Sequence, residues 1–374
     1  FNDNKNKVDW SKKMKILLLQ ETYLPLVGGA EFHVFYLSKS LISLGHNVEI
    51  VTGAQSKQGK NDGEICTIHR HRISSGRKDF VLLPVWLYRV IRYSLGKDVL
   101  HAHYSSFLAF VSVIVGKILR KKTIITLHGL GTLDSSVEHS LLWKMYRYFS
   151  LKYADKIIAT SIEMAEVAAR FTTNDKISII TNGVDTEMFS PTFEKDFNNI
   201  KTKFSLATLR RLVPKNGVHF AVDALGLVNK QLSFSLQIIG DGNARGLIEK
   251  KIKKHSIEDK VIMIGELQHS DVIKKLEGIH AVLFLSTAES TSLAALECMS
   301  MGCIVIASNA GAFPQFVKGG KNGFLVDIFE EGKSDYNAPE ELELWQYEKI
   351  SQLLVRIKNM DTADLKRISN ASRE

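Results

Sequence analysis

The chain has 374 residues, of which 45% are hydrophobic and 24% charged, with a formal net charge of +9. These proportions exclude a disordered or low-complexity chain and predict two or three globular domains with a sizeable core. The longest apolar stretch, Phe107 to Leu119, is shorter than the roughly 18 to 20 residues a membrane span needs, and Cys66, Cys298 and Cys303 fall into no metal or redox spacing.

The three thiols read as core residues in a reducing cytoplasm. Residues 1–13, FNDNKNKVDWSKK, form a polar, basic N-terminal extension with no apolar segment of the kind a secretory signal requires. Met14 to Gln20 then reads as a buried strand, Glu21 to Gly29 as a turn, Ala30 to Leu44 as a helix stopped by Gly45, and Val48 to Thr52 as the next strand. That β-α-β unit predicts a parallel, doubly wound sheet. Its crossover turn, Leu26-Val27-Gly28-Gly29-Ala30-Glu31, lies where open sheets bind ligands, and its glycines allow close backbone approach. It is not a GxGxxG turn, so no dinucleotide is inferred; a tight turn without a ligand fits equally.

Ile65 to Arg72 reads as a strand and Leu82 to Tyr93 as a helix. Val99 to Tyr104 and Thr123 to His128 are strands flanking a helix over Phe107 to Leu119. Each carries a histidine at its end, His103 and His128. Such histidines usually just satisfy hydrogen bonds, but the carboxyl ends of these strands are where a ligand is expected. Leu141 to Tyr153 is an amphipathic helix, Lys156 to Thr160 a strand, Ser161 a helix cap and Ile177 to Thr181 the last strand of this half. The turn residues Asn182-Gly183-Val184-Asp185 put a domain boundary near 185–200, giving domains over 14–190 and 191–374.

The second half opens with a strand over Leu206 to Leu212, the turn Arg210-Arg211-Leu212-Val213-Pro214-Lys215-Asn216-Gly217, and a helix over Val218 to Val228. Cations at a strand-to-helix turn suit a diphosphate, with the cations of a plain exposed loop as the alternative. Leu236 to Ile239 runs into Gly240-Asp241-Gly242, Val261 to Ile264 is a strand and Asp271 to Glu277 a helix. Val282 to Ser308 holds a strand, a hydroxyl-rich turn, a helix over Leu293 to Met301 stopped by Gly302, and a second strand. The first N–H groups of that helix have no partner within it, which favours an anion. Glu289 lies in the turn and Glu297 two helical turns on; so apolar a helix requires a hydroxyl or cationic partner for Glu297. Asn322 to Val326 is expected as a hairpin-like strand, Ile328 to Ala338 as an acidic loop, and Pro339 to Ile357 as a final helix.

The Glu289-x7-Glu297 spacing resembles the donor-site signature of the retaining glycosyltransferases of family 4. Four further segments resemble that family's turns in order: Gly28-Gly29-Ala30-Glu31, the His128-Gly129 turn, the Asn182-Gly183-Val184-Asp185 junction, and Arg211-Leu212 with its following glycine. In the last of these the lysine expected directly before the glycine is Asn216, with Lys215 one residue earlier.

The resemblance implies a GT-B fold, two Rossmann-like domains facing across a cleft, and retaining transfer from a nucleotide-diphosphate sugar, UDP- or GDP-linked. It implies that Arg211, Lys215 and the N–H groups near Ser292 and Leu293 stabilise the diphosphate. Glu297 would hold the ribose, Glu289 the hydroxyls of the transferred sugar, and His128, with His103 beside it, the sugar's other side. Gly28, Gly29 and Gly240 would let backbone approach the donor. No cofactor and no metal are expected, since no D-x-D pair stands near a strand end. Retention through a covalent intermediate needs a carboxylate on the far face of the sugar; same-face attack, with the departing phosphate taking the acceptor proton, is the alternative. The family ordinarily ends in a helix pair that returns to the first domain, and this chain is expected to stop before it.

Over residues 1–190 there are 25 Lys+Arg against 17 Asp+Glu, and over 191–374 there are 24 against 23. The basic excess clusters at Arg70 to Lys78, Arg89 to Lys97, Lys117 to Lys122 and Lys144 to Lys156, interleaved with Trp86, Tyr88, Tyr93, Trp143, Tyr146 and Tyr148. That pattern fits an anionic membrane surface or a lipid-linked or glycan acceptor as well as an ordinary solvated face, and no base-reading motif points to nucleic acid. The resulting expectation is a cytoplasmic enzyme, peripheral to the inner face of the membrane. Rival readings are a sugar-nucleotide epimerase or a phosphorylase of the same architecture, and a catalytically silent scaffold.

Overall fold

A computed structural model describes residues 12–25, 28–53, 65–71, 78–129, 141–329, 335 and 338–374. The N-terminal extension up to residue 11, Leu26 and Val27 of the glycine turn, and most of the acidic stretch after Ile328 lie outside these. The chain divides into two compact units, one up to Thr181 and one from Asn182.

The first unit alternates β1 (Lys15–Gln20), α1 (Gly29–Ser43), β2 (Asn47–Gly53), β3 (Thr67–His71), α2 (Lys78–Ser94), β4 (Val99–His103), α3 (Phe107–Leu119), β5 (Lys122–Leu127), α4 (Leu141–Tyr153), β6 (Lys156–Ala159), α5 (Ile162–Ala169) and β7 (Ile177–Ile179). Its seven strands lie in the order β3-β2-β1-β4-β5-β6-β7, every pairing parallel. Leu18 sits between Ile50 and His101 in register, so the chain reverses its winding direction between β1 and β4. In open α/β sheets the ligand crevice lies beyond the strand ends at such a reversal.

The second unit runs β8 (Phe204–Leu209), α6 (Val218–Leu227), β9 (Phe234–Ile239), α7 (Arg245–Lys254), β10 (Val261–Gly265), α8 (His269–Glu277), β11 (Ala281–Phe284), α9 (Leu293–Ser300), β12 (Ile304–Ser308), α10 (Phe313–Phe316), β13 (Phe324–Val326), α11 (Leu344–Lys358) and α12 (Thr362–Arg373). Its order, β10-β9-β8-β11-β12-β13, is again wholly parallel and again reverses beside its first strand, between β8 and β11. Strands coated on both faces read as unbroken apolar runs. In β12, Ile304 and Ile306 enter one core with α6, α7 and α11, while Val305 and Ala307 enter another with Ala295, Cys298 and Met299 of α9. Two Rossmann-like domains of this kind are the fold expected of GT-B glycosyltransferases.

Apart from the end of β8, described below, three details differ from the sequence reading. The segment closing the sheet, β13, pairs parallel to β12, Ala307 opposite Leu325, and is no hairpin. The final helix is two: α11 starts late, behind a reciprocal capping box of Glu343 and Gln346, and α12 packs on α9 and β12 of its own unit, its Ser369 Oγ donating to Gly302 O at 2.6 Å. The basic and aromatic residues of the first unit are not all surface, since Trp86, Tyr146, Arg147 and Lys97 are buried. Lys97 lies on Glu49, and the Arg147 guanidinium over the Phe171 ring at 5.2 Å. Tyr88, Tyr148, Val81 and Met145 remain exposed on α2 and α4.

Candidate active site

In the second unit the reversal between β8 and β11 gathers the chemistry. β8 stops at Leu209, three residues before the sequence pattern suggested, because the Arg210 N–H donates to Ile239 O at 3.0 Å and the Leu212 N–H turns away to Asp241 O at 2.9 Å. Arg210 is therefore the first residue beyond the strand end. Its Nη2 donates to the Glu289 carboxylate and, at 3.1 Å, to Asn216 Oδ1. Asn216 Nδ2 in turn donates to Arg211 O at 2.7 Å. The guanidinium lies over the Phe284 ring at 5.4 Å, with 10% of the Arg210 side chain and 12% of the Glu289 side chain exposed.

Two glycines hold this pair by their lack of a side chain. At Gly240 (φ +133) a Cβ would fall 1.9 Å from Arg210 O, so the glycine turn lies directly on the arginine's backbone. At Gly311 (φ +57) a Cβ would fall 2.2 Å from Glu289 O, while the Ala312 N–H donates to that same oxygen at 2.9 Å. Backbone conformations of that sign, so tightly enclosed, admit little but glycine.

Lys215 is half-buried in the same turn, its carbonyl accepting from the Thr287 N–H at 2.9 Å. Burial, with Arg210 and Arg211 nearby, pushes its ammonium below the usual lysine range against the opposing pull of Glu289. Arg211 is exposed. Ser292 caps α9, its hydroxyl accepting from Ala295 N at 3.3 Å, and Leu293, the first residue of that helix, is buried. Glu297 is buried and has a polar partner: His269 Nε2 lies 3.3 Å from its carboxylate, the ring edge-on to Phe189. Of the expected donor residues, Glu289, Lys215 and Gly240 thus converge on Arg210, with Glu297 on the adjoining helix. Arg210 stands in the sequence reading only as one cation of its turn and is not singled out there, and His269 and Gly311 escape that reading. The Arg-Arg doublet at the strand end was the signal for the first; nothing local marked the other two.

In the first unit the strand ends carry imidazoles. His103 Nδ1 and His128 Nε2 share a hydrogen bond at 2.9 Å, and their rings stack with centroids 5.2 Å apart. His101 stacks on His103 at 4.5 Å and bonds Thr126 Oγ1 at 2.7 Å, while His33 of α1 meets His128 edge-on at 4.6 Å. Burial, and after it the neighbouring imidazoles, hold His103 and His128 well below the ordinary histidine range and His101 at about 3. All three are neutral near pH 7, able both to donate and to accept. Nitrogens of His33, His103 and His128 lie within 4.8 Å of one another, the compactness of a metal trio, but the His103–His128 bond already employs two of them. His103 Nε2 and both amide atoms of Gln20, at the end of β1, are buried without a hydrogen-bond partner among the described residues. Gly28 precedes α1, and a Cβ at Gly29 would meet nothing within 4 Å, so no packing requires a glycine there.

Residues 27–188 match the sequence profile described as Glycosyltransferase Family 4, and residues 190–333 match that described as Glycosyl transferases group 1. The chain belongs to glycosyltransferase family 4. Among similar proteins, this glycosyltransferase is 27% identical to a phosphatidylinositol N-acetylglucosaminyltransferase subunit of Arabidopsis thaliana, over 81% of this chain and 69% of that one. It is 28% identical to the human protein of the same name, over 80% and 63%. The chain thus spans about two thirds of the length of these relatives. Among solved structures, Anabaena HepE in complex with UDP and glucose shares its fold with a TM-score of 0.74 at 19% identity, covering 96% of this chain and 94% of that one. TarM shares it with a TM-score of 0.74 at 12% identity, covering 98% and 96%. No described helix is long and apolar enough to cross a membrane.

Proposed function

We propose that the protein is a retaining hexosyltransferase that moves a sugar from a nucleotide-diphosphate donor to an acceptor hydroxyl without a metal. The observation that carries this reading is the meeting of Arg210, Lys215 and Glu289 at the β8/β11 reversal, with Glu297 and its His269 partner on the helix that follows. Charge developing on a departing diphosphate would be met there by cations and by the N–H groups at the start of α9. Glu289 would accept hydrogen bonds from the transferred sugar and Glu297 from the ribose. His103 and His128, as neutral imidazoles at the strand ends of the first unit, would bond sugar hydroxyls.

For the retaining step we favour same-face attack. The bond from C1 to the leaving phosphate oxygen breaks, the bond from C1 to the acceptor oxygen forms, and the acceptor proton passes to the departing phosphate. The engagement of Glu289 by Arg210 supports a holding carboxylate over a nucleophilic one. UDP is the favoured nucleotide, since HepE, which shares the fold, was crystallised with it. N-acetylglucosamine is the favoured sugar, since phosphatidylinositol N-acetylglucosaminyltransferase subunits and an N-acetyl-alpha-D-glucosaminyl L-malate synthase are among the relatives. A lipid-linked acceptor, reached from an anionic cytoplasmic membrane surface, fits the exposed apolar and aromatic residues of α2 and α4 beside Arg92, Lys144 and Lys152.

The test is incubation with UDP-N-acetylglucosamine, UDP-glucose and GDP-mannose against lipid-linked and soluble acceptors, with and without EDTA. Expected are an α-linked product by NMR from one donor and an unchanged rate in EDTA. Inversion of the anomeric carbon, or hydrolysis of the donor alone, would refute the reading. Co-sedimentation with vesicles containing phosphatidylserine, strong at low salt and weak at high salt, checks the membrane surface; no pelleting at low salt removes that part.

A further inference from the structure

The ends of β2, β1 and β4 carry more buried polar atoms than they pair. Gln20 lies opposite Thr52 in register and Leu19 opposite Ala102, so Gln20 and His103, one residue further along, stand side by side on the same face of the sheet. Both amide atoms of Gln20, Thr52 Oγ1 and His103 Nε2 are buried without a hydrogen-bond partner among the described residues. Polar groups left in that state are costly, and a bound species that completes some of them relieves the cost.

The species is identified by the rings beside the row. Nitrogens of His33, His103 and His128 lie within 4.8 Å of one another, and His103 Nδ1 is 2.9 Å from His128 Nε2. A zinc–nitrogen bond of about 2.0–2.1 Å in a tetrahedron sets two ligand nitrogens about 3.3 Å apart. The hydrogen-bonded pair would therefore part by a few tenths of an ångström. His33, half-buried on α1 and edge-on to His128, would close by at most about 1.5 Å, which a side-chain rotation supplies. The ion replaces the proton that the His103–His128 bond shares. With the ion on Nδ1, a neutral His103 carries its own proton on Nε2, the unpaired nitrogen, and the unpaired Gln20 Oε1 on the adjoining strand can accept it. A ligating histidine ordinarily gives its second N–H to such an acceptor.

We propose that His33, His103 and His128 form a site for a zinc-class dication, with Gln20 as the outer partner that orients His103. Three imidazoles without a carboxylate suit zinc, cobalt or nickel over magnesium or calcium, and three protein ligands leave a fourth position open. The ion takes no part in transfer. It withdraws from the sugar the two imidazoles that would bond its hydroxyls, so a filled site shuts the enzyme off. The blockade rests on the function proposed above, whereas the site rests on the rings alone.

The test titrates the metal-free full chain with Co2+ and then Zn2+, followed by the visible absorption of tetrahedral cobalt and by calorimetry. Expected are one ion per chain, a Kd of about 1 μM or tighter, intense tetrahedral cobalt bands and their loss on adding Zn2+. His33→Phe, which keeps a ring at the edge contact, should weaken Zn2+ at least about 100-fold, and Gln20→Leu, which leaves all three ligands in place, at least about 10-fold. No binding at one ion per chain, the weak absorption of octahedral cobalt, or wild-type affinity in His33→Phe would overturn the site; wild-type affinity in Gln20→Leu would strike Gln20 from it. Zn2+ at about ten times its Kd should lower sugar transfer about tenfold, with EDTA restoring it. Undiminished transfer with the site filled would overturn the blockade and leave the site. A chain that transfers no sugar even in EDTA would overturn the proposed function and the blockade with it, and the binding titration would still decide the site.

Discussion

Lowering the pH from 7.5 to 5.0 should loosen the first domain at its stacked histidines, and the size of the effect follows from one residue. His101 is buried between β1 and β5, held at about 3 chiefly by desolvation and then by His33. In the unfolded chain it titrates near about 6.5. Above that pH neither state carries the proton, and the contribution to stability is constant. Below it the unfolded chain takes up a proton that the folded one refuses, so stability falls as pH falls, and continues to fall until about pH 3. At pH 5.0 the loss from His101 alone is about 2 kcal/mol, or roughly 30-fold in the opening equilibrium. His103 and His128 act in the same direction. The assay is hydrogen exchange, corrected for intrinsic rate, on peptides spanning β4 and β5. Reading by peptide matters because His219, held at about 4, and His280, also lowered, give the second domain its own acid response. His101→Asn, which keeps a hydrogen-bonding group but does not titrate, should remove about 30-fold of the pH-dependent loss in β4. Protection at pH 5.0 within threefold of that at pH 7.5, or an unaltered pH response in the variant, would refute the reasoning.

Gly311→Ala should reduce turnover by at least about tenfold and lower the melting temperature by several degrees, because its Cβ meets Glu289 O at 2.2 Å in a left-handed conformation that costs a β-carbon about 1–2 kcal/mol. Unchanged turnover would show that the backbone of Glu289 is not pinned there. Glu289→Ala should abolish transfer, a loss of at least about 100-fold, with the circular dichroism spectrum retained; wild-type turnover would strip Glu289 of its role. Asp223 accepts from Lys251 at 2.5 Å, His255 at 2.8 Å and Tyr347 at 3.0 Å, joining α6, α7 and α11. Asp223→Ala leaves the buried Lys251 only the longer contact with the exposed Glu341 at 3.4 Å, which should cost about 3 kcal/mol in a urea titration; a loss below about 1 kcal/mol would mean that Glu341 or water replaces the carboxylate. His269→Ala should weaken the donor nucleotide and its nucleoside alike in isothermal calorimetry, because Glu297 is expected to serve the ribose; unchanged nucleoside affinity would remove that role.

The fold was legible because wholly buried parallel strands announce themselves. Leu17, Leu18 and Leu19, or Val282 to Phe284, are apolar without interruption, and each is followed by a turn and a helix. Where the pattern misled, the deciding contacts were distant in sequence. β13 has the length and flanking Asn-Gly of a hairpin arm, but Ser308 and Val326 lie in parallel register, and Asn309 fastens the segment beyond it through Phe329. Asn359 to Asp361 breaks what a periodic pattern would run together or leave out, and α12 exists because Leu365 and Ile368 have a core to enter.

The candidate site was legible in the placement of its carboxylates and less so in that of its cations, for a physical reason. Glu289 and Glu297 are set by position along one strand-turn-helix unit, so their spacing carries their placement. Arg210 and Arg211 are adjacent on a chain that alternates faces, and which one turns inward depends on where β8 ends. That end is fixed by Ile239 and Asp241, some thirty residues later, which draw the Arg210 and Leu212 N–H groups onto β9 and the turn after it. With the strand ended at Leu209, Arg210 leaves the strand's alternation and faces Glu289. Asn216 then follows from Arg210, since a second cation there would crowd the guanidinium, whereas an amide can accept from it and pass a proton donor on to the next carbonyl. The departure at 216 and the doublet at 210–211 are therefore one feature, visible as two oddities in the sequence and as a single hydrogen-bonded unit in the fold.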